Sequence, residues 1–318
     1  MKRLGVIGTM VWDTIYRRPG PEEAIEEWGG IAYSLVALDA VIPAGWELVP
    51  LIKVGRDLAP RAARFLAELA HRSPGARFVE VPEPNNRVTL HYESSARRTE
   101  CLTGGVPGWS WNELGLMVRD LDALYLNFIS GFELTLETAH HLRRGFAGPI
   151  YADLHSLFLG VAHGGLRVPQ PLADPAGWFS CFDLVQVNQD EMDRMGPDPM
   201  AVAATALGAG VRVLVVTLGP RGAVYFTRDR APLNARREVP AFGPIQTARV
   251  AAPVVVADLD SDPTGCGDAF GATLFARLLS GAGIEPAIQD ANGCAARNAT
   301  CRGATGLLHH LRGGITVP

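Results

Sequence analysis

The stretch Ser261-Asp262-Pro263-Thr264-Gly265-Cys266-Gly267-Asp268-Ala269-Phe270-Gly271 constrains this chain more than any other. Upstream, Val254-Val255-Val256-Ala257 reads as a buried strand. Downstream, Ala269 to Leu279 is apolar almost all round, the pattern of a buried helix. Gly265 and Gly267 therefore sit at a strand-loop-helix junction, where helix amide N–H groups lack intrahelical partners. With no Cβ in the way, an anionic oxygen can approach the backbone, and the helix dipole favours negative charge there. Phosphate is the ligand such a junction suits. Asp268, itself an anion, lies in the same first turn. A loop that only binds phosphate has little reason to hold a carboxylate, whereas a catalyst accepting a proton beside a phosphoryl group does. Spacing alone leaves the other reading open, in which Asp268 complements the dipole and the glycines shape a turn.

Two familiar loops do not fit. A Walker loop needs Gly-Lys-Ser/Thr, and the only lysines are Lys2 and Lys53, neither after a glycine. A dinucleotide fingerprint needs Gly-x-Gly-x-x-Gly, but from Gly265 the sixth position is Phe270 and the glycine falls one late. That weakens a dinucleotide-binding oxidoreductase. Asp262 to Asp268 instead resembles the Asp-Thr-x-Gly-Ala-Gly-Asp signature of the ribokinase-like (PfkB) family of carbohydrate and nucleoside kinases. Asp262, Gly265, Gly267 and Asp268 are kept, while Pro263 and Cys266 depart from the usual Thr and Ala.

The 318 residues have room for one large α/β domain or two smaller ones, and no repeat or clear linker divides them. A net charge of −4 gives no basic footprint for nucleic acid. No apolar run has the length of a membrane span. Met1-Lys2-Arg3 runs into a short strand rather than a signal-peptide core, and the five cysteines are never spaced Cys-x-x-Cys. Reduced thiols and a cytoplasmic location are the expectation.

Along the chain, Leu4 to Gly8 reads as the first core strand. Asp13 follows in Met10 to Tyr16, where a solvated edge residue is the plain reading. By resemblance Asp13 binds substrate hydroxyls, a strong polyol grip for a carboxylate. Trp28-Gly29-Gly30-Ile31-Ala32-Tyr33-Ser34 resembles the family's Gly-Gly-x-Ala-x-Asn segment against the substrate, with Ser34 where Asn is common. Leu48 to Val54 reads as one strand ahead of Gly55-Arg56-Asp57, whose Asp is expected to cap the Leu58 to His71 helix. Alternation in residues 77–81, 87–92 and 97–102 marks a half-exposed sheet. The resemblance makes segments 10–18 and 76–105 a small β lid, with Tyr92 and Arg98 as substrate-side candidates. Trp12, Tyr33 and Tyr92 are candidates to stack on a nucleobase, and packing is an equal reading.

From Leu121 strands and helices alternate, which calls for a parallel sheet with helices on both faces. Asp153 at a strand end is placed to line the cleft, and a surface or packing role suits His155 beside it. A helix is expected over Glu133 to Arg144. Asn188 and Glu191 read as an N-cap and capping-box pair. They also match the family's Asn-x-x-Glu motif, which implies Glu191 near Mg²⁺ and Asn188 near phosphate. Thr217-Leu218-Gly219-Pro220-Arg221-Gly222 resembles the nucleotide loop, so Thr217, Gly219 and Gly222 are cofactor-binding candidates and Arg221 is within reach of a phosphate. Asn292 and Ala296 lie in the helix that resembles the adenine wall.

The resemblance implies a three-layer ribokinase-like α/β fold over 1–318, with ATP and Mg²⁺ as cofactors. It leaves a requirement for a monovalent cation such as K⁺ open. The implied reaction is phosphorylation of a hydroxyl on a sugar, cyclitol or nucleoside. Asp268 would be the general base, and the N–H groups of Gly265, Cys266 and Gly267 the anion hole. The rival is a non-catalytic ribokinase-like protein that binds a ligand or partner, with which Pro263 and Ser34 would agree. An exposed lid edge is a pairing surface for a homodimer.

Overall fold

The computed structural model describes residues 1–16, 24–92, 98–228, 233, 243–254, 263–301 and 303–312. Its largest sheet has eight strands. Six are parallel, in the order Val213–Thr217, Leu184–Asn188, Ile150–Asp153, Ala123–Asn127, Lys2–Ile7 and Trp46–Leu51. Ala223–Thr227 and Gln246–Val250 extend the sheet antiparallel beyond Val213–Thr217. The strands are near-continuous apolar runs because both faces are covered, as parallel sheets require. Alternate residues serve opposite layers: Tyr125 packs in the core with the Ile31–Val41 and Cys266–Leu279 helices, and Leu124 and Leu126 in the core with the Leu136–Gly145 helix. The chain builds outward from its first strand, so the order reverses between Lys2–Ile7 and Ala123–Asn127. A crevice at the carboxyl ends of such neighbours is where ligands enter sheets of this kind.

The Cys266–Leu279 helix is buried almost all round, as its sequence predicts. The strand expected just before it is not found at Val254. That residue is 97% exposed and in no strand. The ladder stops at Val250, ahead of Pro253, which has no N–H to donate. Residues 255–262, Asp262 among them, lie outside the described residues.

The segments expected as a lid, 10–18 and 76–105, supply three strands of a second, four-stranded sheet in the order Ile25–Gly30, Met10–Tyr16, Arg87–Tyr92 and Arg98–Thr103, with Ile25–Gly30 outside the expected bounds. Val79–Val81 is not part of it and pairs instead with Lys53–Gly55. The single strand expected over 48–54 is therefore two strands in two sheets. Asp57 does not cap the Ala59–Ala67 helix. Its carboxylate accepts from the Asn85 N–H at 2.8 Å and Arg87 Nη2 at 2.9 Å, tying the core to the first residue of a lid strand. Both outer lid strands are engaged by the same chain. Cys101 forms a bridge with Leu166, and the Gly303–Leu311 helix packs on Ile25–Gly30, where the Thr305 hydroxyl donates to Glu27 at 3.0 Å. The edge expected to pair with a second subunit is correspondingly reduced.

Glu133 was expected to open a helix, but the helix starts at Leu136 with Thr135 as its cap. Glu133 is 2% exposed and spends its carboxylate on the loop after Asn127. It accepts from the Thr9 hydroxyl at 2.7 Å, the Ser130 N–H at 2.7 Å, the Ser130 hydroxyl at 2.8 Å and the Gly131 N–H at 3.0 Å. Glu133→Ala strands these buried donors and should cost about 3 kcal/mol or more, read as a lower urea midpoint. An unchanged midpoint would show that the loop holds its shape without the carboxylate.

Candidate active site

Asp268 sits in the first turn of the Cys266–Leu279 helix, half-buried and facing the carboxyl ends of the parallel strands. Asn127, the last residue of its strand, donates Nδ2 to Asp268 Oδ1 at 2.6 Å. Below it, the hydroxyls of Ser34 and Tyr125 lie 3.1 Å apart and reach the Asp268 carbonyl at 3.5 and 3.4 Å. Asn127 Nδ2 also meets Ser34 Oγ at 3.2 Å. Burial first, then the charges of Asp268 and Asp153, pushes the Tyr125 hydroxyl well above its ordinary range, so it remains a donor. Ser34 is fully buried and does not line the cleft. Where a substrate-side contact is expected of Ser34, its hydroxyl instead lies under Asp268, taken up by Tyr125, Asn127 and the Asp268 carbonyl.

A second strand end supports the same turn. Tyr151 donates to Gln186 Oε1 at 2.7 Å, and Gln186 Nε2 donates to Asp153 Oδ2 at 2.8 Å and to the Gly267 carbonyl at 3.1 Å. Gly265 has φ +78°, and a Cβ there would lie 2.4 Å from the Tyr33 ring. Only glycine satisfies both demands. Tyr33 is thus packed on the loop at 2% exposure rather than open to a nucleobase, and Trp12 is edge-on to Trp28 at 5.1 Å. The Gly267 N–H, on the exposed side of the turn, has no partner among the described residues. The Cys266 N–H already donates to the Pro263 carbonyl at 3.2 Å. The Cys266 thiol turns to the neighbouring helix, donating to the Ala295 carbonyl and accepting from Asn298 Nδ2, each at 3.4 Å.

On the lid side, Asp13 and Gly29 meet across paired strands. A Cβ on Gly29 would lie 1.8 Å from Asp13 Oδ2, so the carboxylate lies directly against that backbone. Gly30 has φ +58° and turns the chain into the Ile31–Val41 helix. Tyr92 and Arg98 pair across the hairpin end, and their side chains lie outside the described residues.

Asn188 and Glu191 form the expected capping box. Glu191 accepts from the Asn188 N–H at 2.7 Å and from its Nδ2 at 2.5 Å. Burial, reinforced by the charge of Asp153, lifts the Glu191 carboxyl to about 7, with His155 and the Asn188 N–H opposing. Thr217 ends its strand, Gly219 opens to free space, and Gly222 lies against the Val250 carbonyl, where a Cβ would come within 2.1 Å. Arg221 is exposed and bound to Gln189. Asn292 spends its amide on the carbonyls of Val250 and Ala251 at 3.2 and 3.3 Å, and Ala296 is half-buried one turn on. Among the described residues, Asp153, His155 and Asp268 form the one recorded group whose possible ligand atoms all lie within 4.8 Å. Mg²⁺ prefers oxygen donors and retained waters, so Glu191 suits it better than a set containing an imidazole.

The raised Glu191 value has a direct consequence. With an ordinary value of 4.5 and a folded value of about 7, the folded protein binds more protons between those limits. Stability must therefore fall as pH rises through that window. Glu191→Gln should flatten the fall, measured as urea unfolding free energies at several pH values. An unchanged slope would assign it to other groups.

The sequence model described as the pfkB family of carbohydrate kinases matches residues 167–311. No curated protein sequence matches the chain. Several solved structures match it over nearly its whole length. A sulfate complex of a pyrophosphate-dependent kinase in the ribokinase family aligns with a TM-score of 0.75 and 16% identity, covering 98% of this chain and 100% of its own. Ribokinase from Thermotoga maritima aligns at 0.70 and 17% identity, covering 99% and 100%. Arabidopsis thaliana ribokinase complexed with ribose and ATP aligns at 0.67 and 16% identity, covering 98% and 99%. Among the described residues no helix is long and apolar enough to cross a membrane. The chain has the ribokinase-like fold, and its residues 167–311 match the sequence model of the pfkB carbohydrate-kinase family.

Proposed function

We propose that residues 1–318 form one cytoplasmic kinase unit that transfers the γ-phosphoryl group of ATP to a hydroxyl of a sugar, cyclitol or nucleoside. The observation that carries this reading is Asp268, held by Asn127 at 2.6 Å beside a Gly267 N–H that has no partner among the described residues at a helix N-terminus. A proton acceptor and an anion-binding amide then face the same few ångströms. Asp13, pressed against Gly29, grips the acceptor's hydroxyls from the lid side. As the acceptor oxygen bonds to phosphorus, its proton passes to the Asp268 carboxylate. The Gly265 and Gly267 N–H groups hold the charge spread over the phosphoryl oxygens, and Cys266 shares its N–H with Pro263. Positioning and charge stabilisation dominate such transfers, so this sparse apparatus is sufficient.

The donor would lie along Thr217, Gly219 and Gly222. Asn292 shapes the wall there through the Val250 and Ala251 carbonyls, and Ala296 leaves room for a flat base. Glu191 would hold Mg²⁺ through water, the ion neutralising donor phosphates when bound. A carboxylate kept in this position argues against a role in binding alone.

The test is phosphoryl transfer to a panel of sugars, cyclitols and nucleosides. ATP and inorganic pyrophosphate serve as separate donors, since one similar fold belongs to a pyrophosphate-dependent kinase. Asp268→Asn keeps the shape and removes the proton acceptor. It should lower kcat by roughly 10²–10⁴ with donor affinity little changed. A folded Asp268→Asn protein with wild-type kcat on the true acceptor would refute the assignment.

A further inference from the structure

The proposed transfer gives no task to His155, yet His155 stands in the middle of the site. It begins the turn after the Ile150–Asp153 strand, with its side chain 31% exposed. Its Nδ1 lies 3.3 Å from Asp153 Oδ1, an oxygen that also accepts the His155 backbone N–H at 3.2 Å. Gln186 holds the other Asp153 oxygen at 2.8 Å, so the carboxylate that orients the ring is itself fixed. One ligand atom each of His155, Asp153 and Asp268 fall within 4.8 Å of one another. A gap of that size is bridged by one oxygen hydrogen-bonded to both sides at about 2.8 Å each. The cluster is otherwise acidic, with Asp153, Glu191 and Asp268 all acting on the His155 ring, where anionic phosphates are expected to bind. A cation at this point relieves that repulsion.

We propose that His155 contacts the transferring phosphoryl group as a fixed cation, oriented by Asp153 beside the proton acceptor Asp268. The inference rests on the phosphotransferase reading above. During transfer the bond from acceptor oxygen to phosphorus forms. The bond from phosphorus to the donor's bridging oxygen breaks, and its electron pair leaves with the donor. The hydroxyl proton goes to Asp268, and His155 keeps its own proton throughout. Burial pushes the imidazole toward neutrality, but the charge and hydrogen bond of Asp153, with Asp268 and Glu191, outweigh it and lift the ring to about 10. Both ring nitrogens are then donors at neutral pH.

His155→Asn and His155→Lys test this, with folding checked by thermal melting. Inorganic phosphate binding is read by calorimetry, and kcat and acceptor KM on whichever acceptor the wild type phosphorylates. His155→Asn should weaken phosphate binding about tenfold or more, the worth of a charged hydrogen bond. It should lower kcat about 10²-fold, the usual loss on removing one transition-state donor. Acceptor KM should stay nearly constant, and His155→Lys should recover part of both losses. Equal phosphate binding by wild type and His155→Asn overturns the proposal. So does a wild type that binds no phosphate, or a variant in which only acceptor KM moves. If the wild type transfers no phosphoryl group yet loses phosphate affinity on substitution, the kinase reading fails and the anion contact stands.

Discussion

The site depends on one interaction, the 2.6 Å contact from Asn127 Nδ2 to the Asp268 carboxylate. A carboxylate in the first turn of a helix is drawn to the helix's own amides and to water. Asn127 instead fixes it toward the strand ends, and can do so only because the sheet and helix are locked to each other. That locking is polar as well as apolar. Ser34 and Tyr125 grip the Asp268 carbonyl from one side, and Gln186 grips the Gly267 carbonyl from the other. Tyr125 stacks at 4.6 Å on Tyr151, which in turn donates to Gln186. Buried polar groups of this kind are costly when unpaired, so the turn has one low-energy setting.

The proposed acceptor and donor sides lie around that fixed turn. The parallel order of the sheet brings Asn127, Asp153 and Asn188 to one end, although they lie on three strands. The second sheet contributes Asp13, whose carboxylate lies against Gly29 on the adjacent strand. It is tied to the core by polar contacts, at Asp57 with Asn85 and Arg87 and at Glu27 with Thr305, and by Met10, Trp12 and Trp28, which pack in the main core.

Much of this was legible in the sequence because it is local. The glycines and Asp268 share one turn, the Asn188–Glu191 box spans a single helical turn, and the alternation of strand and helix sets the sheet. What escaped is long-range. Asn127 meets Asp268 across 141 residues, and Gln186 meets Gly267 across 81. Neither pairing has a local pattern to announce it, though the rule that ligands meet strand carboxyl ends would have singled out Asn127. The partners of Ser34, Tyr125 and Asn127, are likewise distant in the chain, so its burial under Asp268 has no local signal. The resemblance puts the Cys266 N–H in an anion hole, yet that N–H donates to the Pro263 carbonyl. Where Asp57 was expected to cap a helix, lid strand geometry claimed its carboxylate.

The central claim is that Asp268, set by Asn127, faces the attacking hydroxyl. A crystal structure with a phosphorylatable acceptor and a non-transferable donor analogue measures this directly. The account predicts the acceptor hydroxyl within about 2.6–3.2 Å of an Asp268 carboxylate oxygen, with the Asn127 contact intact. An acceptor bound with its hydroxyl out of reach of Asp268, and another side chain in that place, would contradict it.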